Sequence, residues 1–141
     1  MSSGLNRFML DTNMASYIIK GANAAVQQRL ENVPMANVCV SAITQAELLR
    51  GVAKKPGAKH LPLIVNEFLL RVEILPWDSP AADSWATLRT VFERSGKTLA
   101  AMDMLIAAHA DSCGAILVTN DNAFFNVRKF LSLEDWTKTS R

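Results

Sequence analysis

Short apolar runs alternate along this chain with longer segments whose apolar residues recur at helical spacing. FML, VCV, VEIL and AILV fall at Phe8 to Leu10, Val38 to Val40, Val72 to Leu75 and Ala115 to Val118. Runs this short and this uniformly apolar suit strands buried on both faces, and helical segments between them supply the crossovers that parallel strands require. The expected fold class is therefore α/β, a mainly parallel central sheet flanked by helices.

Helix punctuation agrees with that pattern. TNMASYIIK follows the first strand and Gly21 stops it; a second helix covers Ala24 to Leu30. Ser41 is placed to cap a helix carrying Ile43, Glu47 and Leu49 that ends at Gly51. VAKKPGAKH reads as a loop, after which a helix with Leu63, Ile64, Phe68 and Leu69 resumes. Ser79 as cap and Pro80 in the first turn begin a long helix over Ala81 to Arg94, with Gly96 as its stop. Asp103 opens a helix reaching Ala110, Gly114 breaks the chain, and Phe130, Leu131, Leu133 and Trp136 form a last edge element.

With 141 residues, half of them hydrophobic, the chain is expected to be one domain with a sizeable core. Fifteen Lys and Arg against thirteen Asp and Glu leave +2, too little to attract a polyanion by bulk charge, so any such ligand needs a local patch. Cys39 and Cys113 lack metal-type spacing and read as buried reduced thiols. No export signal stands at the N-terminus, and no stretch approaches the ~18 apolar residues of a membrane span. The expectation is a cytoplasmic protein with no membrane partner.

Against this apolar background four carboxylates stand at element edges: Asp11 after FML, Glu47 in TQAELLRG, Asp103 in DMLIAAHA and Asp121 in VTND. Ligands of open α/β sheets bind beyond the carboxyl ends of strands, where Asp11 and Asp121 both fall. Two ionised carboxylates about 5 Å apart repel by roughly 3 kcal/mol at an effective dielectric near 20, so a converging set needs protons or a metal. Oxygen donors without clustered His or Cys favour Mg²⁺, with Mn²⁺ as the alternative, over zinc; His60 and His109 have no partnered spacing. Each acid also has a plainer reading. Asp11 and Asp103 suit helix caps, Asp121 suits a strand-end turn, and Glu47 suits a solvated helix face. The remaining acids, Glu134 and Asp78 among them, lack the edge context and read as surface charge.

LDTN, a helical Glu in TQAELLRG, DMLIAAHA and VTND occur in that order, and the set resembles the PIN-domain ribonucleases, most of all the VapC toxins of bacterial toxin–antitoxin operons. The resemblance runs from about Phe8 to Trp136 and includes the closing LSLEDW. It implies that Asp11, Glu47, Asp103 and Asp121 are the metal-site acids, that Thr119 is the hydroxyl of a TxD motif, and that Asn13 is the polar residue after the first aspartate. The pair Ala100-Ala101 departs from the approach many members use before the third acid, which leaves the entry angle of Asp103 open.

The chemistry so implied is hydrolysis of RNA, with tRNA the expected substrate and rRNA or mRNA the alternatives, yielding 5′-phosphate and 3′-hydroxyl ends and inhibiting translation. Implied partners are a VapB-like antitoxin whose C-terminal segment blocks the acidic pocket, a second copy of the chain, and a toxin–antitoxin hetero-oligomer. LPLIVNEFLL could serve such contacts or the core. Arg50, Lys54, Lys55 and Lys59 form the densest basic segment and are candidate RNA contacts, or else ordinary solvated surface. Two other readings compete: a non-catalytic PIN-like RNA-binding module, and a haloacid dehalogenase-type phosphohydrolase. The latter expects an acid two residues after Asp11, where Asn13 stands.

Overall fold

In the computed structural model, which describes residues 6–138, five parallel strands form one sheet in the order β3-β2-β1-β4-β5. The strands are β1 (Phe8–Leu10), β2 (Val38–Ser41), β3 (Glu73–Leu75), β4 (Ile116–Val118) and β5 (Leu133–Glu134). Helices α1 (Thr12–Lys20) and α2 (Ala24–Glu31) join β1 to β2, and α3 (Ala42–Ala53) and α4 (Leu61–Arg71) join β2 to β3. The pair α5 (Ser79–Arg94) and α6 (Ala101–Cys113) then carries the chain across to β4, and α7 (Asn122–Phe125) leads toward β5.

The alternation of side chains along a strand divides the core in two. Phe8, Leu10, Val38, Val40 and Val118 face one cluster with residues of α1 to α4, whereas Met9, Cys39 and Leu117 face the other with residues of α5 to α7. β1 and β2 are buried on both faces, as their uninterrupted apolar character requires. The register Leu10↔Val118 and Ser41↔Leu75 brings the carboxyl ends of β1 to β4 to one rim. Because β1 connects onward to β2 on one side while β4 lies on its other side, the strand order reverses at the β1/β4 boundary. That crevice is where a ligand site is expected.

Three punctuation marks lie elsewhere than the sequence pattern suggests. Gly51 does not stop α3, which runs to Ala53 with Lys54 as its cap; a glycine inside a helix is tolerated at about 1 kcal/mol. Asp78, not Ser79, caps α5, accepting the Ala81 N–H at 3.2 Å. Asp103 does not cap α6: Ala100 holds that position and Asp103 stands in the first turn. Gly21 and Gly114 do end α1 and α6, both at positive φ (62° and 64°), where a Cβ would be strained. Cys39 is buried, its thiol pushed up to about 12 chiefly by desolvation, but Cys113 is only half-buried. Among the described residues no helix is long and apolar enough to cross a membrane.

Candidate active site

Asp11 leaves β1 at the crevice. Its backbone N–H donates to Val118 O at 3.0 Å, extending the β1–β4 pairing by one residue, and its Oδ1 accepts the Met14 N–H at 2.8 Å. The residue is 4% exposed. Capping and membership of an acidic site are thus not competing roles here: the cap fixes the carboxylate in a buried place where it meets other acids. Burial raises its pKa to about 6; the Thr119 hydroxyl and the Met14 N–H pull it back, while Asp103 and Asp121 push it up.

Asp121 comes from the other side of the same crevice. Its N–H donates to Thr119 Oγ1 at 3.1 Å, and its Oδ1 accepts the Ala123 N–H at 2.9 Å, starting α7. Thr119 is fully buried, so its hydroxyl ties the backbone of Asp121 to the site of Asp11. Asp103, in the first turn of α6, has its pKa raised by partial burial, then by Asp121 and by Glu47. Glu47 in α3 faces inward: Thr12 Oγ1 lies 2.5 Å from its Oε1 and 3.2 Å from Thr44 Oγ1. All four acids are thereby linked: Asp11, Asp103 and Asp121 by their mutual electrostatic influence, and Glu47 through Asp103 and through Thr12, the neighbour of Asp11.

Other predicted residues lie further out. Asn13 is exposed in the first turn of α1, and Arg50, Lys54, Lys55 and Lys59 are exposed along the end of α3 and the following loop. Thr12 and Thr44 escaped the sequence reading. Thr12 had a signal, since it directly follows Asp11 in LDTN; Thr44 had none beyond its place one helical turn before Glu47.

His109, by contrast, belongs to the scaffold. It is 1% exposed, its Nδ1 is 2.7 Å from Ser41 Oγ, and burial lowers its pKa, with Asp78 acting weakly the other way. Ser41 also accepts the Ile43 N–H at 3.1 Å, which leaves its own hydroxyl hydrogen for the imidazole. Ser41→Ala removes a helix cap and a buried partner together, and a loss of about 1–3 kcal/mol is expected, read as a lower denaturation midpoint with unchanged m-value.

A divalent cation fits this donor set. Among the described residues no three acidic, histidine or cysteine side chains are close enough to enclose a metal by themselves. Mg²⁺, however, keeps several waters and binds through one or two carboxylates and substrate phosphate. Oxygen donors whose ionisation is held back by burial and by one another are the groups that a cation would relieve.

The PIN domain model matches residues 8–130. The chain belongs to the PIN-domain family, in its VapC branch. It is 34% identical over 131 residues to the tRNA(fMet)-specific endonuclease VapC of Shigella flexneri, covering 93% of this chain and 98% of that protein. Ribonuclease VapC2 of Haemophilus influenzae is 34% identical over 130 residues, covering 92% and 98%. The structure of DNA-bound VapBC from Salmonella typhimurium superposes with a TM-score of 0.84 at 33% identity, over 93% of this chain and 98% of that one. Membership of the PIN-domain family leaves no place for a haloacid dehalogenase-type reading, and it accounts for the parallel sheet and the acidic rim together.

Proposed function

We propose that this chain is the toxin ribonuclease of a VapBC-type pair, a Mg²⁺- or Mn²⁺-dependent endoribonuclease that hydrolyses RNA and thereby inhibits translation. The observation carrying the reading is the buried Asp11, held at about 6 beside Asp103 and Asp121 at the strand-end crevice of a PIN-domain fold. Relatives described as ribonucleases support it, and the Shigella flexneri relative supports tRNA as the substrate. A non-catalytic binding module would have no use for four acids that repel one another.

In this reading Asp11, Asp103 and Asp121 hold the cation directly or through water. The bound ion would supply Lewis acidity, easing deprotonation of water and offsetting phosphate charge. Glu47, oriented by Thr12, completes the shell or directs the attacking water; Thr119 fixes Asp11 and Asp121 relative to each other. Water attacks phosphorus and releases a proton to solvent as the new P–O bond forms, the P–O3′ bond breaks, and the leaving 3′ oxygen takes up a proton from solvent, giving a 5′-phosphate and a 3′-hydroxyl. Asn13, exposed in the first turn of α1 two residues after Asp11, contributes a polar contact to the substrate in this reading. A VapB-like antitoxin restrains the activity, as the VapBC assembly of Salmonella typhimurium suggests, and the toxin pairs with a second copy of itself in the cytoplasm.

The test is incubation of the purified toxin with tRNA, with and without Mg²⁺ or Mn²⁺, followed by end analysis. Fragments bearing 5′-phosphate and 3′-hydroxyl termini are expected, only with metal. A 2′,3′-cyclic phosphate would mean that the RNA's own 2′-hydroxyl attacked, and the mechanism would fall; absence of any cleavage would favour the binding-module reading.

A further inference from the structure

A cleft of about 400 Å³ opens between the end of α5 and the segment after α7, lined by Lys97, Arg128 and Lys129, with Phe125, Phe130 and Asn126 beside them. All three cations are exposed, no acid lines the cleft, and among the described residues none of the three is in an ion pair. This distinguishes them from Arg29, Arg71 and Arg89, each neutralised by a glutamate within about 3 Å. In a chain of net charge +2, three unneutralised cations around one concavity form a local anionic-ligand site.

The cleft is built from the segments that carry two of the acids. Asp121 caps α7, whose last residue is Phe125; four residues at 1.5 Å each put the cleft wall only ~6 Å of helix from that acid. On the other wall, Lys97 lies in the short link from α5 to α6, four residues before α6 begins at Ala101, and Phe92, near the end of α5, shares a small cavity with Lys97, Leu99 and Met104. Lys97 therefore stands at the end of α6 that bears Asp103. The pair Phe92–Phe130, ring centroids 5.6 Å apart, fastens the two walls together, so the cleft is a fixed feature of the fold. Lys54, in contrast, lies at the far end of α3, ~18 Å of helix from the rim at Ser41.

We infer that this cleft binds the phosphate backbone of a single RNA strand continuing out of the acidic site past Asp121, with the half-buried Phe125 and Phe130 as an apolar flank for a base. The inference rests on the ribonuclease reading above. Cations there would neutralise phosphates that the acids cannot approach, and aromatic rings beside a basic groove suit strand binding without sequence readout.

The experiment measures anisotropy of a short fluorescein-labelled single-stranded RNA, across a salt series, with three proteins: Asp11→Asn, used so that the probe stays intact, and the same variant carrying Lys97→Ala, Arg128→Ala and Lys129→Ala, or Lys54→Ala, Lys55→Ala and Lys59→Ala. Loss of three phosphate contacts should make the slope of log affinity against log salt shallower by about 2, at roughly 0.7 per phosphate of a single strand. The cleft triple should show that change and the loop triple a smaller one. Equal slopes for the cleft triple and its parent would overturn the inference, while cleavage by the unmodified protein would leave the ribonuclease reading standing. If the unmodified protein does not cleave RNA and its Asp11→Asn form does not bind the probe, both fall together.

Discussion

Asp11→Asn is expected to lose about 10²–10³-fold in RNA cleavage while becoming more stable than the parent above pH 6 in metal-free buffer. The activity loss follows from removing one fixed charge from a site where transition-state charge is stabilised by preorganised groups. The stability gain follows from the same charge. Asp11 titrates at about 6 in the folded protein against its ordinary 3.8, because the fold desolvates it and sets Asp103 and Asp121 near it. Between those two values the native state holds a proton that the unfolded chain has released, so the favourable contribution is complete below pH 3.8 and is lost as pH rises through 6. The gap corresponds to about 3 kcal/mol at about 1.36 kcal/mol per pH unit. Asparagine keeps the carbonyl oxygen that accepts the Met14 N–H, so α1 stays capped, and it has no charge to repel its neighbours. Thermal midpoints of both proteins from pH 4 to 8 should nearly coincide at 4, draw apart between 4 and 6, and stay separated by a constant amount above 6. Adding Mg²⁺ should raise the parent's midpoint more than the variant's. Undiminished cleavage, or a variant less stable than the parent at pH 8, would contradict the assignment.

Much of the fold was legible because the strands that matter are buried on both faces. FML and VCV are apolar without interruption since neither face meets water, AILV is buried but for a half-buried Ile116, and the helices between them are long enough to show their period. What was not legible was decided by tertiary packing or by competition between neighbouring cap residues. Gly51 looks like a stop, but unlike Gly21 and Gly114 it does not take a positive φ, and α3 continues past it to Ala53, with the Lys54 N–H donating back to Arg50 O at 3.0 Å. Asp78 and Ser79 both qualify as caps; the aspartate reaches Ala81 and wins.

The site was legible in its acids and illegible in what connects them. Sequence order alone places Asp11 and Asp121 at strand ends, but only the register Leu10↔Val118 makes those ends adjacent. Nothing in TQAELLRG says that Glu47 faces α1; Thr12, unremarked in sequence, accounts for it by donating across 35 positions. Glu134 reads as surface charge in the sequence because a two-residue edge strand leaves no periodic signal. It is half-buried, 2.9 Å from Arg29 Nη2 and 2.7 Å from Trp136 Nε1.

That last contact underlies the largest expected stability effect. Trp136→Ala should destabilise the fold by about 3–5 kcal/mol, lowering the thermal midpoint by roughly 10–20 °C. Trp136 is 2% exposed, its ring centroid lies 5.6 Å from that of Phe8 in the central strand β1, and the Arg29 guanidinium sits 5.4 Å above it. Removing the indole opens a cavity against β1 and frees Glu134 from one of its two donors, so both β5 and the end of α2 loosen. Trp136→Phe separates the contributions: it keeps most of the apolar volume and loses only the N–H to Glu134, and a loss of about 1–2 kcal/mol is expected. Because Asp11 follows β1 directly, the alanine variant's cleavage rate should fall at temperatures near its lowered midpoint and return toward the parent's in the cold. A rate lowered equally at all temperatures, with an unchanged midpoint, would instead place Trp136 in contact with RNA.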